Sequence, residues 1–82
     1  MPYELEIKLE AMAFLKRLPA DVRRDIGFRL HQLQEDFSGD VTKLRGSKNE
    51  YRLRAGNHRV LFQLVGSRIT VYAVGDRKDI YK

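Results

Sequence analysis

The feature that most limits the folds open to this chain is a change of hydrophobic period near its middle. Between residues 20 and 37 the apolar side chains step by three or four: Val22, Ile26, Leu30, Leu33 and Phe37. That spacing lines one face of a helix. From residue 51 onward the step is two, interrupted at Gly56-Asn57 and Gly66-Ser67. Both dipeptides are two-residue turn signals between antiparallel strands. A chain that is helical first and hairpin-forming later must bury its helical stripe against one face of a sheet.

The remaining elements follow from the same patterns. Tyr3 to Leu9 alternates apolar and charged residues and reads as a half-buried strand. Glu10 to Leu18 carries Met12, Phe14, Leu15 and Leu18 among good helix formers, and Pro19 ends this first helix. The second helix, 20–37, is stopped by Ser38-Gly39-Asp40. Residues 38–50 are polar and without period, and read as a loop pinned by Val41 and Leu44. Strands are expected at 51–55, 58–65 and 68–75, with a tail from 76 to 82. The fold expected is α+β: an N-terminal strand, a two-helix hairpin, then a three-strand antiparallel meander, with both helices on one sheet face. A helical crossover separates the first strand from the rest, so it should join the sheet in parallel.

Residues 1–82 are read as a single domain. A hydrophobic fraction of 43% suffices for one core. The sequence has no cysteine, which excludes a disulfide framework and a thiolate zinc site. No apolar run reaches the roughly 18–20 residues of a membrane span. Met1 to Glu6 carries acids and no basic stretch, unlike a signal peptide. The expected location is cytoplasmic, with no membrane partner.

Charge is unevenly placed. Residues 1–40 hold six Lys/Arg and eight Asp/Glu, whereas residues 41–82 hold ten Lys/Arg and three Asp/Glu. A basic C-terminal half points to an anionic partner, nucleic acid or an acidic protein. The plainer alternative is a solvated basic surface.

The turn dipeptides set the register. Gly56-Asn57 places Ala55 opposite His58, Arg54 opposite Arg59 and Leu53 opposite Val60. Gly66-Ser67 places Val65 opposite Arg68 and, counting back, Leu61 opposite Tyr72 and Arg59 beside Val74. Opposed residues share a face. One face then carries Leu53, Val60, Phe62, Leu64, Ile69, Val71 and Ala73, and takes the helices. The other carries Arg52, Arg54, Arg59, Gln63, Arg68, Thr70 and Tyr72, with no carboxylate expected among them. Like charges directly opposed destabilise a sheet, and such local conflict concentrates at functional sites. The tail starts beside this cluster, so Arg77 and Tyr81 can fold over it. Arginine forks match phosphate oxygens and stay charged, and preplaced arginines stabilise the charge that grows on a reacting phosphodiester. A tyrosine can stack on a base. A non-catalytic phosphate- or carboxylate-binding face fits the same residues.

The order of elements, together with Lys43-Leu44-Arg45-Gly46, Tyr51-Arg52-Leu53-Arg54, Gly56-Asn57-His58-Arg59-Val60 and Gly75-Asp76-Arg77-Lys78-Asp79-Ile80-Tyr81, resembles the RelE/ParE superfamily of toxins over nearly the whole chain. The resemblance implies a type II toxin–antitoxin system and RelE-type cleavage of messenger RNA in the ribosomal A site, by attack of a ribose 2′-hydroxyl on the adjacent phosphate. It implies catalytic positions at Arg52, Arg54, Arg59, Arg77 and Tyr81, no metal and no cofactor. The implied partners are a RelB-like antitoxin with an acidic segment, the ribosome and messenger RNA. The family's RelE has lysines where this chain has Arg52 and Arg54, so the usual candidate for a general base is replaced by a side chain that does not deprotonate. The chain is also expected to stop short of that family's C-terminal helix. Two rivals stand beside this reading: a ParE-like gyrase inhibitor, and a basic module that binds RNA or ribosomes without chemistry.

Lys43, Arg45, Lys48 and Arg68 are expected to contact RNA backbone. His31 reads as a surface residue. His58, at a strand end with core-face parity, reads as structural or as a rim contact. Asp76 and Asp79 read as pins for the tail, since no Asp/Glu/His set has metal-ligand spacing.

Overall fold

A computed structural model of the protein describes residues 2–78. Tyr81 and Asp79 lie outside the described residues. The elements run β1 (Glu4–Ile7), α1 (Leu9–Lys16), α2 (Ala20–Asp36), β2 (Val41–Lys43), β3 (Glu50–Ala55), β4 (His58–Val65) and β5 (Arg68–Asp76). They build one five-stranded sheet in the order β1-β5-β4-β3-β2. β1 runs parallel to β5, and the other neighbours are antiparallel. The expected meander is β3-β4-β5, and the parallel first strand is in place.

Three boundaries differ from the sequence reading. The opening alternation ends at Ile7; Leu9 begins α1 and stays 87% exposed. Residues 38–50 are not all loop, because Val41–Lys43 pairs with Leu53, Arg52 and Tyr51 as β2. Two β-branched residues suffice there because Val41 packs against the core. Finally, the β4–β5 register slips between Leu61 and Phe62: Phe62 faces Val71 while Leu61 faces Ala73, which leaves Tyr72 unpaired in a β-bulge. Leu61 therefore does not oppose Tyr72, and Arg59 faces Gly75 rather than Val74. Beyond the slip, Val74 turns into the core and Ala73 leaves it.

The core lies between the sheet and the two helices. Ala11 and Leu15 of α1 and Ile26, Leu30 and Leu33 of α2 meet Leu53, Ala55, Val60, Phe62, Ile69, Val71 and Val74. Under β3 an aromatic group seals one end: Phe37 stands 5.4 Å from Tyr3, 5.6 Å from Tyr51 and 5.9 Å from Phe62, with Tyr51 stacked on Phe62 at 5.5 Å. Phe37 also caps α2 in a left-handed conformation, φ 57°. A side chain there costs about 1 kcal/mol or more against glycine, and its three ring contacts offset that cost. No helix of the described residues is long and apolar enough to cross a membrane.

Candidate nucleic-acid interface

With both helices on one face, the other face of the sheet is open. Its rows follow from the register. At one end stand Arg54 and Arg59, directly opposed, with Gly75 next in line. Gly75 presents no side chain, so the row opens onto β5. Arg77 follows two residues later, and its backbone N–H donates to Asn57 O at 3.0 Å. That bond straps Arg77 to the β3–β4 turn, at the same corner of the sheet as Arg54 and Arg59.

Each arginine has local anchors. Arg59 Nη1 donates to Gly56 O at 2.8 Å and His58 O at 2.9 Å, turning the guanidinium back over its own turn. Arg54 Nε lies 3.9 Å from Asp40 Oδ2, and Arg54 N donates to Asp40 O at 2.9 Å. The two side chains thus splay apart, as like charges on opposed positions should. Arg52 occupies the next row inward, between Thr42 and Leu61. His58 faces Asp76 across the hairpin with the opposite, helix-side parity, and Asp76 Oδ1 accepts from Lys78 N at 2.9 Å. His31 is exposed on α2.

The open face does hold a carboxylate, contrary to the sequence expectation. Glu50 opens β3 opposite Gln63, and Tyr72 Oη donates to Glu50 Oε1 at 2.6 Å. The bulge makes this possible. It turns Tyr72 out of the ladder so that the phenol crosses β4 to reach β3. Burial pushes the Tyr72 hydroxyl up to about 12, helped by the hydrogen bond to Glu50 and by its charge. Nothing in the period of β5 announces the slip, which is why Glu50 and Tyr72 were not paired from sequence.

The residues expected on RNA backbone divide. Arg68 sits at the far end of the β4–β5 hairpin and is clamped by β1, with Glu6 at 3.0 Å and Glu4 at 3.5 Å. Lys43 faces Tyr51 and so has helix-side parity, away from the arginines. Arg45 and Lys48 are exposed in the β2–β3 connection, at the Glu50 end of β3 and about 13 Å of strand from Arg54. Among the described residues, no group of three or more His, Asp and Glu side chains is placed to hold a metal ion.

Beside β5, past the point where β1 stops pairing, a cleft of about 190 Å³ opens between α1 and the strand. Glu10, Phe14 and Arg17 line it from the helix and Tyr72 and Val74 from the strand.

A mixed sheet covered on one face by two helices, with arginines gathered at one corner of the other, defines a small basic α+β protein. The sequence pattern of the family described as the ParE toxin of type II toxin–antitoxin system, parDE, matches residues 5–81, and the chain belongs to that family of the RelE/ParE superfamily. Toxin RelE3 of Methanocaldococcus jannaschii is 33% identical over 72 residues, covering 82% of each chain. The mRNA interferase toxin RelE of Escherichia coli is 24% identical, over 99% of this chain and 92% of that one. The RelB-RelE antitoxin-toxin complex from Methanococcus jannaschii contains a chain that superposes with TM-score 0.80 at 28% identity, covering 94% of this chain and 95% of that one. The archaeal RelE-RelB complex from Pyrococcus horikoshii gives TM-score 0.83 at 24% identity, covering 96% and 99%, a likeness of fold.

Proposed function

We propose that this toxin is a ribosome-dependent endoribonuclease that cuts messenger RNA in the A site and so stops translation. The observation that carries the reading is the corner where Arg54 and Arg59 stand opposed with Arg77 strapped beside them. The names of two relatives, both mRNA interferases or RelE toxins, support it.

In this reading Arg52, Arg54 and Arg59 hold the scissile phosphate. The ribose 2′-hydroxyl gives its proton to water as its oxygen attacks phosphorus, the bond to the 5′-oxygen breaks, and that oxygen takes a proton from water, leaving a 2′,3′-cyclic phosphate and a 5′-hydroxyl. Arginines already fixed at the corner favour the charge-rich transition state over the ground state. Arg77 stabilises the departing oxygen, and its high pKa makes it a charge partner rather than a proton donor. Tyr81 stacks on a base or orients the 2′-hydroxyl. Fixed guanidinium charge does the work a metal would do, so the reaction is metal-independent. Arg45 and Lys48 extend the contact along RNA backbone. The inhibitory partner is a RelB-like antitoxin whose acidic segment occupies the arginine corner, in keeping with the RelB-bound relatives.

Primer extension on a defined message in a cell-free translation reaction tests this. Wild type should give discrete cuts in translated regions that vanish without ribosomes and with Arg77→Ala. Intact message with unimpaired translation sinks the reading, and a supercoiling assay then decides whether the chain poisons gyrase.

A further inference from the structure

Helix α2 carries a second stripe besides the one it buries. Ile26, Leu30 and Leu33 face the core. At the helical period, Arg24, Phe28, His31 and Glu35 fall within about 60° of one another on the opposite side. All four are exposed, and Phe28 keeps 61% of its surface in solvent. One exposed ring on a surface is ordinary; its neighbours give this one a meaning. Gly27 precedes it, in the middle of a 17-residue helix, where glycine is less stable than alanine. A Cβ at Gly27 would meet nothing within 4 Å, so the packing of one chain does not require the glycine. Glycine suits a place where another backbone comes close.

The stripe also carries opposite charges at its two ends, Arg24 toward the start of α2 and Glu35 toward its finish. Among the described residues neither takes part in an ion pair, whereas Asp25 and Arg29 of the same helix pair with each other at 3.1 Å. Arg24 lies as far before the midpoint of Phe28 and His31 as Glu35 lies beyond it. The stripe is therefore complementary to its own reverse: basic end to acidic end, with an aromatic ring against an imidazole between them.

We infer that this outer stripe of α2 docks a second copy of the chain, the two α2 helices lying antiparallel about a two-fold axis. A two-fold contact uses the same patch on both sides and so must be self-complementary. With the axis between Phe28 and His31, Arg24 meets Glu35 of the second copy and Phe28 meets its His31, each contact being made twice. Gly27, next to Phe28 and one turn from His31, leaves room for the incoming ring. Parallel packing would set Arg24 against Arg24 and Glu35 against Glu35. An acidic segment of the kind that suits the arginine corner would meet Glu35 here, which favours a second copy as the occupant. From Arg24 to Glu35 the helix runs about 17 Å, so the contact is small and the pair is transient rather than obligate. The open face of each sheet points away from the stripe, and both arginine corners stay accessible in the pair. The inference does not depend on the nuclease reading.

Sedimentation equilibrium of the purified protein from about 5 to 500 µM, a range that spans weak pairing, tests it. Wild type should shift from one copy to two across that range. Arg24→Glu and Glu35→Arg should each weaken pairing about tenfold, since each turns two exposed attractions into repulsions. The double variant, Arg24→Glu with Glu35→Arg, should restore it, which no loss of folding could imitate. Gly27→Ala should raise the thermal midpoint at the low concentration and still weaken the pair. A wild type that stays single throughout overturns the proposal, as does a pair that both single charge variants leave intact or that the double variant fails to restore. A single-copy wild type whose complex with a RelB-like antitoxin is weakened by Phe28→Ser also overturns it, and gives the stripe to the antitoxin.

Discussion

The Arg54–Arg59 pair makes an unusual prediction: two positive residues directly opposed across β3 and β4 should couple unfavourably, and removing either should cost function. The magnitude can be worked from the geometry. Opposed Cβ atoms are about 5 Å apart, and the observed splay, one guanidinium toward Asp40 and the other onto Gly56 and His58, carries the charges further. At a separation of about 8 Å, two unit charges in a water-like dielectric repel by ~0.5 kcal/mol. Single variants do not report this directly. Arg59→Gln also removes hydrogen bonds at 2.8 and 2.9 Å, and Arg54→Gln removes the contact with Asp40. A double-mutant cycle of the two glutamines cancels those losses. Urea unfolding in dilute buffer should show the wild-type pair about 0.5 kcal/mol less stable than additivity requires. In 1 M salt, where screening acts over about 3 Å, the coupling should vanish. Meanwhile each single variant should lose about a hundredfold or more in message cleavage, the scale of one preorganised donor. A cycle that closes to zero in dilute buffer, or a favourable coupling, refutes the account of this corner as charge held under repulsion for function.

Three further outcomes follow from other parts of the molecule. At Phe37 the usual ranking should invert: Phe37→Gly should be more stable than Phe37→Ala by about 1 kcal/mol in thermal unfolding, because φ is 57°, although both lose the ring contacts. The folded Tyr72 hydroxyl titrates above its ordinary range, near 12, so folding holds its proton more tightly than the unfolded chain does. The stability this gives is complete below pH 10 and is lost as pH rises from about 10 to 12; stability curves for Tyr72→Phe should lack that alkaline loss, and the difference in phenolate absorbance between wild type and Tyr72→Phe should show Tyr72 titrating late. Arg68→Gln should cost no more than about 1 kcal/mol, as exposed ion pairs do, and should leave message cleavage unchanged, since Glu4 and Glu6 hold Arg68 at the other end of the sheet.

Much of this architecture could be read from periodicity because α2 and the β3–β4 hairpin each obey one period throughout. The α2 stripe buries Ile26, Leu30 and Leu33, and Gly56-Asn57 fixes the pairs Arg54–Arg59 and Leu53–Val60. The arginine corner was legible for that reason: it lies within two residues of a turn, where register is set locally. Errors grow with distance from a turn. Counting back from Gly66-Ser67 works as far as Val71 and fails at Tyr72, because a single extra residue in β5 changes no hydrophobic pattern until Val74. That one slip hid the Tyr72–Glu50 bond and placed Ala73 on the wrong face. β2 escaped notice because a three-residue strand has no period to detect, and its pairing depends on β3 being there first. The helix-side parity of Lys43 comes with that strand, and only its pairing with Tyr51 reveals it.

The parallel pairing of β1 with β5 has a consequence in time. Arg68 and Glu6, which meet across that pairing, are 62 positions apart in the chain. Loops this long close slowly, and contacts of such high separation come late in folding. β5 must therefore leave the ribosome before β1 has a strand to join, and Arg77 emerges after β5. A polypeptide still being synthesised has neither a closed sheet nor its third corner arginine. The arginine corner is therefore completed only after Arg77 has followed β5, later than the turn that already opposes Arg54 and Arg59.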